Sequence, residues 1–305
     1  MTAAEQTSIG IFGLGAMGSA MAGHLLDSGV HVLGSDPDAG RQEAAVEMGV
    51  QLATPDVIAS RCDVILTSLP SYSVALEVLG SSSPLGRSLR SGTIIIETST
   101  LSPDEKESLR KQVAQAHGVL LDCPMSGTAH QAREGDLVAY LSGDDDAAKS
   151  RSLPILMSFC RSVRDLGEFG TGTKTKLVAN HLVAAHNVAA AEALSLAQAA
   201  GLDLPSTLAA IADGAGSSRM LHVRGPLMIE EDYVPAGMRV DLFLKDLTLI
   251  SDFAARLGVP SPIFDVTVDV YREAERQGRG SEDTACAFSV LMSRRNERPQ
   301  EVDGA

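Results

Sequence analysis

Three groups of residues in this 305-residue chain have types and spacings suited to chemistry. Gly13-Leu14-Gly15-Ala16-Met17-Gly18 spells G-x-G-x-x-G. In such a run the first glycine permits a tight turn and the second lets backbone approach a pyrophosphate. The third lets a helix pack close to a strand, and the helix N-terminus then offers its N–H groups to the anion. Asp36 follows 18 residues after Gly18. A carboxylate there can accept hydrogen bonds from both ribose hydroxyls of NAD and repels a 2′-phosphate, which favours NAD over NADP; Arg41, close by, is a group that can meet such a phosphate. The alternative is that these glycines are plain turn residues and Asp36 a helix cap before Pro37.

The second group is Asp122-Cys123-Pro124-Met125-Ser126-Gly127-Thr128. The Ser126 hydroxyl and the N–H groups of Gly127 and Thr128 can together hold a carboxylate; an ordinary turn reads equally well. The third is Lys176 with Asn180, four residues apart and so on one face of a helix. The surrounding residues are mostly Ala, Val and Leu, and a lysine among them risks costly burial of its charge. Such a setting can suit a lysine to proton transfer. The alternative is a solvated lysine beside Lys174. His181 and His186 are five residues apart, roughly 140° off a common helix face, so they read as core or interface histidines rather than metal ligands, and no metal is expected.

Alternating strand and helix signals position the first two groups. Strands are predicted over 9–12, 30–34, 64–69, 93–96, 119–121 and 137–141, apolar runs bounded by turn residues. Helical spacing covers 16–26, and a helix capped by Ser102, with Pro103 at its first position and Glu105 three residues after the cap, runs to Gly118. Strands alternating with helices predict a doubly wound, parallel sheet. From Lys174 onward long helical patterns replace the strands, over 176–200, 204–212, 242–257 and 262–278. The expected organisation is an α/β domain over 1–170, an all-α domain over 171–295 and a polar tail over 296–305. Gly170-Thr171-Gly172-Thr173 reads as a flexible joint.

Composition narrows the function classes. A content of 44% hydrophobic and 21% charged residues is ordinary for a soluble, folded enzyme and excludes a disordered or fibrous chain. A net charge of −14 argues against nucleic acid or an anionic membrane as partner, because both need a basic face. The apolar stretch 177–191 contains Asn180, His181, His186 and Asn187 and is too short and polar to span a bilayer. Four cysteines without close spacing, and no basic or apolar leader over residues 1–8, fit a reducing cytoplasm.

Together these motifs resemble the β-hydroxyacid dehydrogenase family, which includes 3-hydroxyisobutyrate dehydrogenase and tartronate semialdehyde reductase. The resemblance is carried by Gly13 to Met21, Asp122 to Gly127, Gly170 to Asn180, and Phe243-Leu244-Lys245-Asp246-Leu247, in family order across nearly the whole chain. It implies a Rossmann domain joined to an all-helical domain by one long helix, and NAD(P)-dependent oxidation of a small anionic 3-hydroxy acid. It gives Lys176 the catalytic role and Asn180 the substrate-orienting role. Ser126, Gly127 and Thr128 fall where the family grips the carboxylate, and Leu69, Pro70, Thr100 and Lys245 where it contacts the cofactor. It also implies a homodimer or homotetramer built through the helical domain. This sequence departs from the family pattern at Thr128 and Gln131, where glycines are frequent, and at Ala179, where Asn is common. The stretches 186–194 and 214–218 look closest to the L-threonate dehydrogenase branch, with Arg219 standing where Trp is usual, as a substrate contact or a surface ion pair. Rival readings are an imine reductase, a group that usually lacks the lysine found here at 176; a 6-phosphogluconate-type enzyme, which needs a phosphate grip that only Arg219 and Arg224 suggest; and a non-catalytic NAD sensor.

Overall fold

A computed structural model describes residues 8–297. The chain divides into two compact units, the first ending at Lys176 and the second beginning at Leu177. Residues 298–305, most of the expected polar tail, lie outside the described range.

The first unit runs β1 (Ser8–Phe12), α1 (Ala16–Asp27), β2 (His31–Ser35), α2 (Ala39–Met48), β3 (Gln51–Leu52), α3 (Pro55–Arg61), β4 (Val64–Thr67), α4 (Tyr72–Leu79), α5 (Pro84–Ser88), β5 (Ile94–Glu97), α6 (Pro103–Gln115), β6 (Val119–Asp122), β7 (Met125–Ser126), α7 (Ala129–Arg133), β8 (Leu137–Leu141), α8 (Asp146–Met157) and β9 (Cys160–Asp165). Six strands form one parallel sheet in the order β3-β2-β1-β4-β5-β6. Helices cover both faces, so the central strands are apolar runs until their last residues, Thr67 in β4 and Glu97 in β5. Ile9, Ile11, Val64, Leu66, Ile94, Ile96 and Leu121 enter one core. Their strand neighbours Phe12, Ile65, Ile95 and Leu120 point the other way, into a second.

The expected doubly wound sheet is present, with two differences. The strand 137–141 belongs instead to a separate three-stranded sheet in the order β7-β8-β9, antiparallel to β7 and parallel to β9. Its residues alternate between buried Leu137, Ala139 and Leu141 and half-buried Val138 and Tyr140. That is the signature of a strand covered on one face, unlike β4 and β5, which are buried throughout. The short β3 and the charged β9 left no apolar run to read.

α6 starts as its sequence signals. Glu105 N–H donates to Ser102 Oγ at 3.2 Å, and Ser102 N–H donates to Glu105 Oε2 at 2.7 Å.

α9 (Thr171–Ala199) is 29 residues, roughly 43 Å of helix, and the division between units falls within it. The second unit continues with α10 (Leu204–Ala212), α11 (Arg219–Glu230), α12 (Val240–Leu257), α13 (Pro262–Arg276) and α14 (Ala287–Glu297). Its core includes Leu177, Ala184, Leu194, Phe243, Leu247, Phe264, Tyr271 and Phe288. Asn187 donates from Nδ2 to Tyr271 Oη and to the Thr284 carbonyl, both at 2.8 Å, satisfying polar groups inside that core. Arg224 and Asp283 form a buried ion pair at 3.2 Å, and Asp283 also accepts the N–H groups of Gly237 and Met238.

Candidate active site

Parallel pairing sets the ends of four strands side by side: Phe12 pairs with Thr67, Thr67 with Glu97, and Glu97 with Asp122. The predicted residues of the first unit follow this row. The glycine loop leaves β1, Leu69-Pro70 follow β4, Thr100 follows β5 and the Ser126 segment follows β6. Strand order reverses between β1 and β4, which is where ligands bind in open α/β sheets.

The glycine loop divides its roles as the spacing suggests. Gly13 has φ +88°, and a Cβ there would lie 2.2 Å from the Ser68 carbonyl oxygen. A Cβ on Gly18 would lie 1.8 Å from the Gly13 oxygen. Both glycines are therefore demanded by the fold itself. Gly15 is different: its Cβ would meet only the Arg41 guanidinium, at 3.9 Å. Gly15 is the N-cap of α1 and makes no side-chain cap bond, and the first turn, with Ala16 and Met17, carries no acid. Open space beside uncapped N–H groups fits a dinucleotide pyrophosphate.

Asp36 is buried and accepts the Leu14 N–H at 2.8 Å and the Asp38 N–H at 2.9 Å. Arg41 lies 3.6 Å from it. Asp36 thus braces the glycine loop, a task the sequence did not reveal. An ionised carboxylate has about four acceptor positions, so two hydrogen bonds leave capacity for ribose hydroxyls. Leu69 is buried and its N–H donates to Ser99 Oγ at 2.8 Å; Pro70 is exposed and Thr100 half-buried.

In the second motif, Ser126 and Gly127 are half-buried, and Gly127 has φ +143°. Side chains with a Cβ rarely adopt that φ, which keeps this position glycine; the nearest atom to an added Cβ would be Leu137 Cδ2, the movable end of a side chain, at 2.6 Å. Thr128 departs from expectation. Its N–H donates to Gln131 Oε1 at 3.0 Å, and its Oγ1 accepts the Gln131 N–H at 3.3 Å. This reciprocal capping box starts α7 and occupies the N–H expected to face a carboxylate. Gln131 is held in turn by Asp136, at 2.9 Å from Nε2.

The expected joint at Gly170 to Thr173 is instead the anchored start of a helix. Gly170 turns the chain with φ +85°, and α9 begins at Thr171. The Gly172 N–H donates to Ser142 Oγ at 2.9 Å, and the Thr173 N–H to Asp122 Oδ2 at 2.7 Å. The Thr173 hydroxyl donates to Asp122 Oδ1, also at 2.7 Å. A Cβ on Gly172 would lie 2.3 Å from the Tyr140 oxygen, so this glycine permits close approach rather than flexing. One turn further, Lys176 is buried with 6% of its surface exposed, whereas Lys174 is exposed. The solvated reading holds for Lys174 and not for Lys176.

Behind this anchor is a buried charge cluster that sequence reasoning missed. Lys106 pairs with Glu97 and, at 3.0 Å, with Asp122, and all three side chains are fully buried. Burial alone pulls the Lys106 ammonium down, but Asp122 and Glu97 outweigh it and hold the group above its ordinary value. The signal was present: Lys106 shares the buried face of α6 with Leu109 and Val113.

In the second unit, Asn180 is buried and donates from Nδ2 to Asp246 Oδ2 at 3.0 Å. Lys245, exposed, lies 3.5 Å from Asp246. His181 stacks on Phe264 with centroids 4.7 Å apart, a packing role. His186 is exposed and lines a cavity of about 240 Å³ with Ile211, Ser217, Ser218 and Leu221. Arg219 is exposed at the first position of α11. Among the described residues, no three His, Cys, Asp or Glu side chains come together as metal ligands. No described helix is long and apolar enough to cross a membrane.

Comparison with known proteins gives the family and the fold. Residues 8–167 match the NAD binding domain of 6-phosphogluconate dehydrogenase, and residues 170–291 match the NAD-binding domain of NADP-dependent 3-hydroxyisobutyrate dehydrogenase. L-threonate dehydrogenase of Cupriavidus necator is 32% identical over 93% of this chain and 96% of its own length. A solved 3-hydroxyisobutyrate dehydrogenase of Mycobacterium tuberculosis, with L-serine, has a TM-score of 0.84 at 26% identity, covering 94% of this chain and 99% of its own. An imine reductase from a Pseudomonas species covers 94% of this chain and 99% of its own at 24% identity and a TM-score of 0.61, and shares the fold alone. The chain belongs to the β-hydroxyacid dehydrogenase family of NAD(P)-dependent oxidoreductases.

Proposed function

We propose that this chain interconverts a small 3-hydroxy acid and its carbonyl product, with Lys176 as general acid–base. The observation that carries the reading is the burial of Lys176 one turn into a helix anchored at the strand-end row from which the glycine loop also leaves. Gly13, Leu14, Gly15, Ala16, Met17, Gly18, Asp36, Leu69, Pro70 and Thr100 are the residues that would hold NAD(P). When bound, that cofactor supplies the hydride acceptor for oxidation and the donor for reduction. Lys176 Nζ takes the hydroxyl proton as the carbon loses its hydride, and returns it in reduction. Its positive charge then stabilises developing negative charge on the oxygen.

Asn180, its amide tied to Asp246, orients the hydroxyl. Ser126 Oγ and the Gly127 N–H hold the carboxylate, with Thr128 fixing the loop through its capping box. Holding both ends of the substrate fixes the distance over which hydride moves.

The buried Asp36 carboxylate supports NAD over NADP, because it would repel a 2′-phosphate. The substrate class is hydroxyisobutyrate-, tartronate semialdehyde- or threonate-like, in keeping with the names of the relatives. We infer a reducing compartment, in line with four buried, unpaired thiols. A homo-oligomer through the helical unit is supported by exposed Leu182, Leu196, Leu242, Ile263 and Val266.

The test is NAD- and NADP-linked absorbance with a panel of three- to five-carbon hydroxy acids, including L-threonate and 3-hydroxyisobutyrate, beside a cyclic imine with NADPH. Turnover of at least one hydroxy acid and not the imine is expected. Binding of NADH with no turnover of any hydroxy acid would refute the reading in favour of a nucleotide sensor.

A further inference from the structure

Most helices begin with a side chain at the N-cap that accepts an N–H from the first turn. α9 begins after Gly170, which has no side chain to offer. The capping groups come from elsewhere in the first unit. Ser142, just past β8, accepts the Gly172 N–H, and Asp122, the last residue of β6, accepts the Thr173 N–H. Asp122 also takes the Thr173 hydroxyl, so one carboxylate grips one residue through two atoms at 2.7 Å each. Ser142 is bound to Asp122 through the backbone in both directions, at 2.9 and 2.8 Å, and Ser142 Oγ lies 3.2 Å from Asp122 Oδ2.

Charge explains why this grip is strong. The buried cluster holds two carboxylates, Glu97 and Asp122, against one ammonium, Lys106. The excess negative charge is met by the first-turn N–H groups of α9, the positive end of a 29-residue helix. A two-point grip on Thr173 also fixes the rotation of the helix about its axis, which a single N–H bond would leave free. Lys176 is three residues on, so its direction is set by the same contact.

We propose that Asp122, Thr173 and Ser142 are positioning residues for Lys176: a remote cap, built into the dinucleotide-binding unit, that sets where the proton-transfer group points. The proposal rests on the reading of Lys176 as the acid–base group. It explains why Thr173 and Ser142 are buried although neither is expected to touch substrate.

The test compares Thr173→Val, which keeps shape and loses the hydroxyl bond, with Thr173→Ser, which keeps the bond. In the full chain, Thr173→Val should lower kcat by at least about tenfold, since small misplacements near a reacting centre are costly. KM for the hydroxy acid should change less than about threefold and NADH affinity less than about twofold, the pattern of an interaction lost in the transition state. Thr173→Ser should return kcat to within about threefold of the parent. Hydrogen exchange of the peptide spanning 171–176 should speed up in Thr173→Val and recover in Thr173→Ser, with the rest of the unit unchanged. If Thr173→Val does not fold, Ser142→Ala decides by the same readouts. An unchanged kcat in the folded variant, equal losses in the Val and Ser variants, or a loss confined to NADH binding would overturn the proposal. Lys176→Ala separates the two levels. Normal turnover without Lys176 sinks the reading beneath, whereas normal turnover in Thr173→Val with an inactive Lys176→Ala sinks the remote cap alone.

Discussion

Removing the Lys106 ammonium is the sharpest perturbation of the first unit. Lys106 is the one cation between two carboxylates, and none of the three side chains is exposed. Lys106→Met keeps most of the volume and leaves Glu97 and Asp122 facing each other without a counter-charge. Breaking a buried pair by deleting one partner costs about 3–5 kcal/mol. At about 2–4 °C per kcal/mol for a unit of this size, the thermal midpoint should fall by roughly 6–20 °C. The pH dependence follows from linkage. In the variant, one buried carboxylate is held protonated well above the value it has unfolded. The deficit is therefore greatest at pH 8 and narrows as pH falls toward 5, by up to about 1.4 kcal/mol per unit while the folded form carries the extra proton. In the parent, the Lys106 value is raised, so its contribution is complete through neutral pH and is lost only as pH rises beyond the unfolded lysine's value of about 10.4 and through the folded one. Adding Glu97→Gln and Asp122→Asn to Lys106→Met should recover at least half of the loss, because the uncompensated charge is gone. Urea and thermal unfolding followed by circular dichroism at pH 5, 6.5 and 8 measure all of this. A Lys106→Met variant within about 1 kcal/mol of the parent at pH 8, or a deficit that does not change with pH, would refute the reasoning.

Two further predictions concern the cofactor loop. Gly15→Ala places a methyl where the chain itself has room, so the thermal midpoint should move by less than about 4 °C, in line with a change of a few tenths of a kcal/mol to about 1 kcal/mol at a helix cap. NADH affinity should nevertheless fall at least about tenfold in a fluorescence titration, about 1.4 kcal/mol, and unchanged affinity contradicts the assignment of that space to a pyrophosphate. Asp36→Asn should lower the ratio of kcat/KM for NAD over NADP at least about tenfold, because the repulsion of a 2′-phosphate is gone. NAD affinity should also fall, since Asp36 braces Leu14 and Asp38; an unchanged ratio in steady-state kinetics counts against Asp36 as the discriminating group.

The central sheet was legible because its strands are buried on both faces and leave unbroken apolar runs, such as Ile94-Ile95-Ile96. The glycine loop was legible because two of its glycines answer steric demands made by neighbouring backbone. What escaped was set by tertiary contact. Val138 and Tyr140 are half-buried, and only the partner strands decide that 137–141 joins a second sheet. Gly170 to Thr173 has the composition of a joint, yet its N–H groups meet Ser142 and Asp122, 30 and 51 residues away in sequence. Thr128 followed by Gln131 is a capping box that could have been recognised, as the one at Ser102 and Glu105 was. Lys106 on an apolar helix face and Asp122 at the end of an apolar strand were both visible, but nothing in the spacing tied one to the other.

The central claim is that Lys176 moves the proton. The measurement that reaches it most directly is single-turnover kinetics of Lys176→Ala with a hydroxy acid that the parent turns over, alongside NADH titration of both proteins. The account predicts a rate at least about a hundredfold lower with NADH affinity kept within about twofold. A variant that turns over within a few-fold of the parent would contradict it.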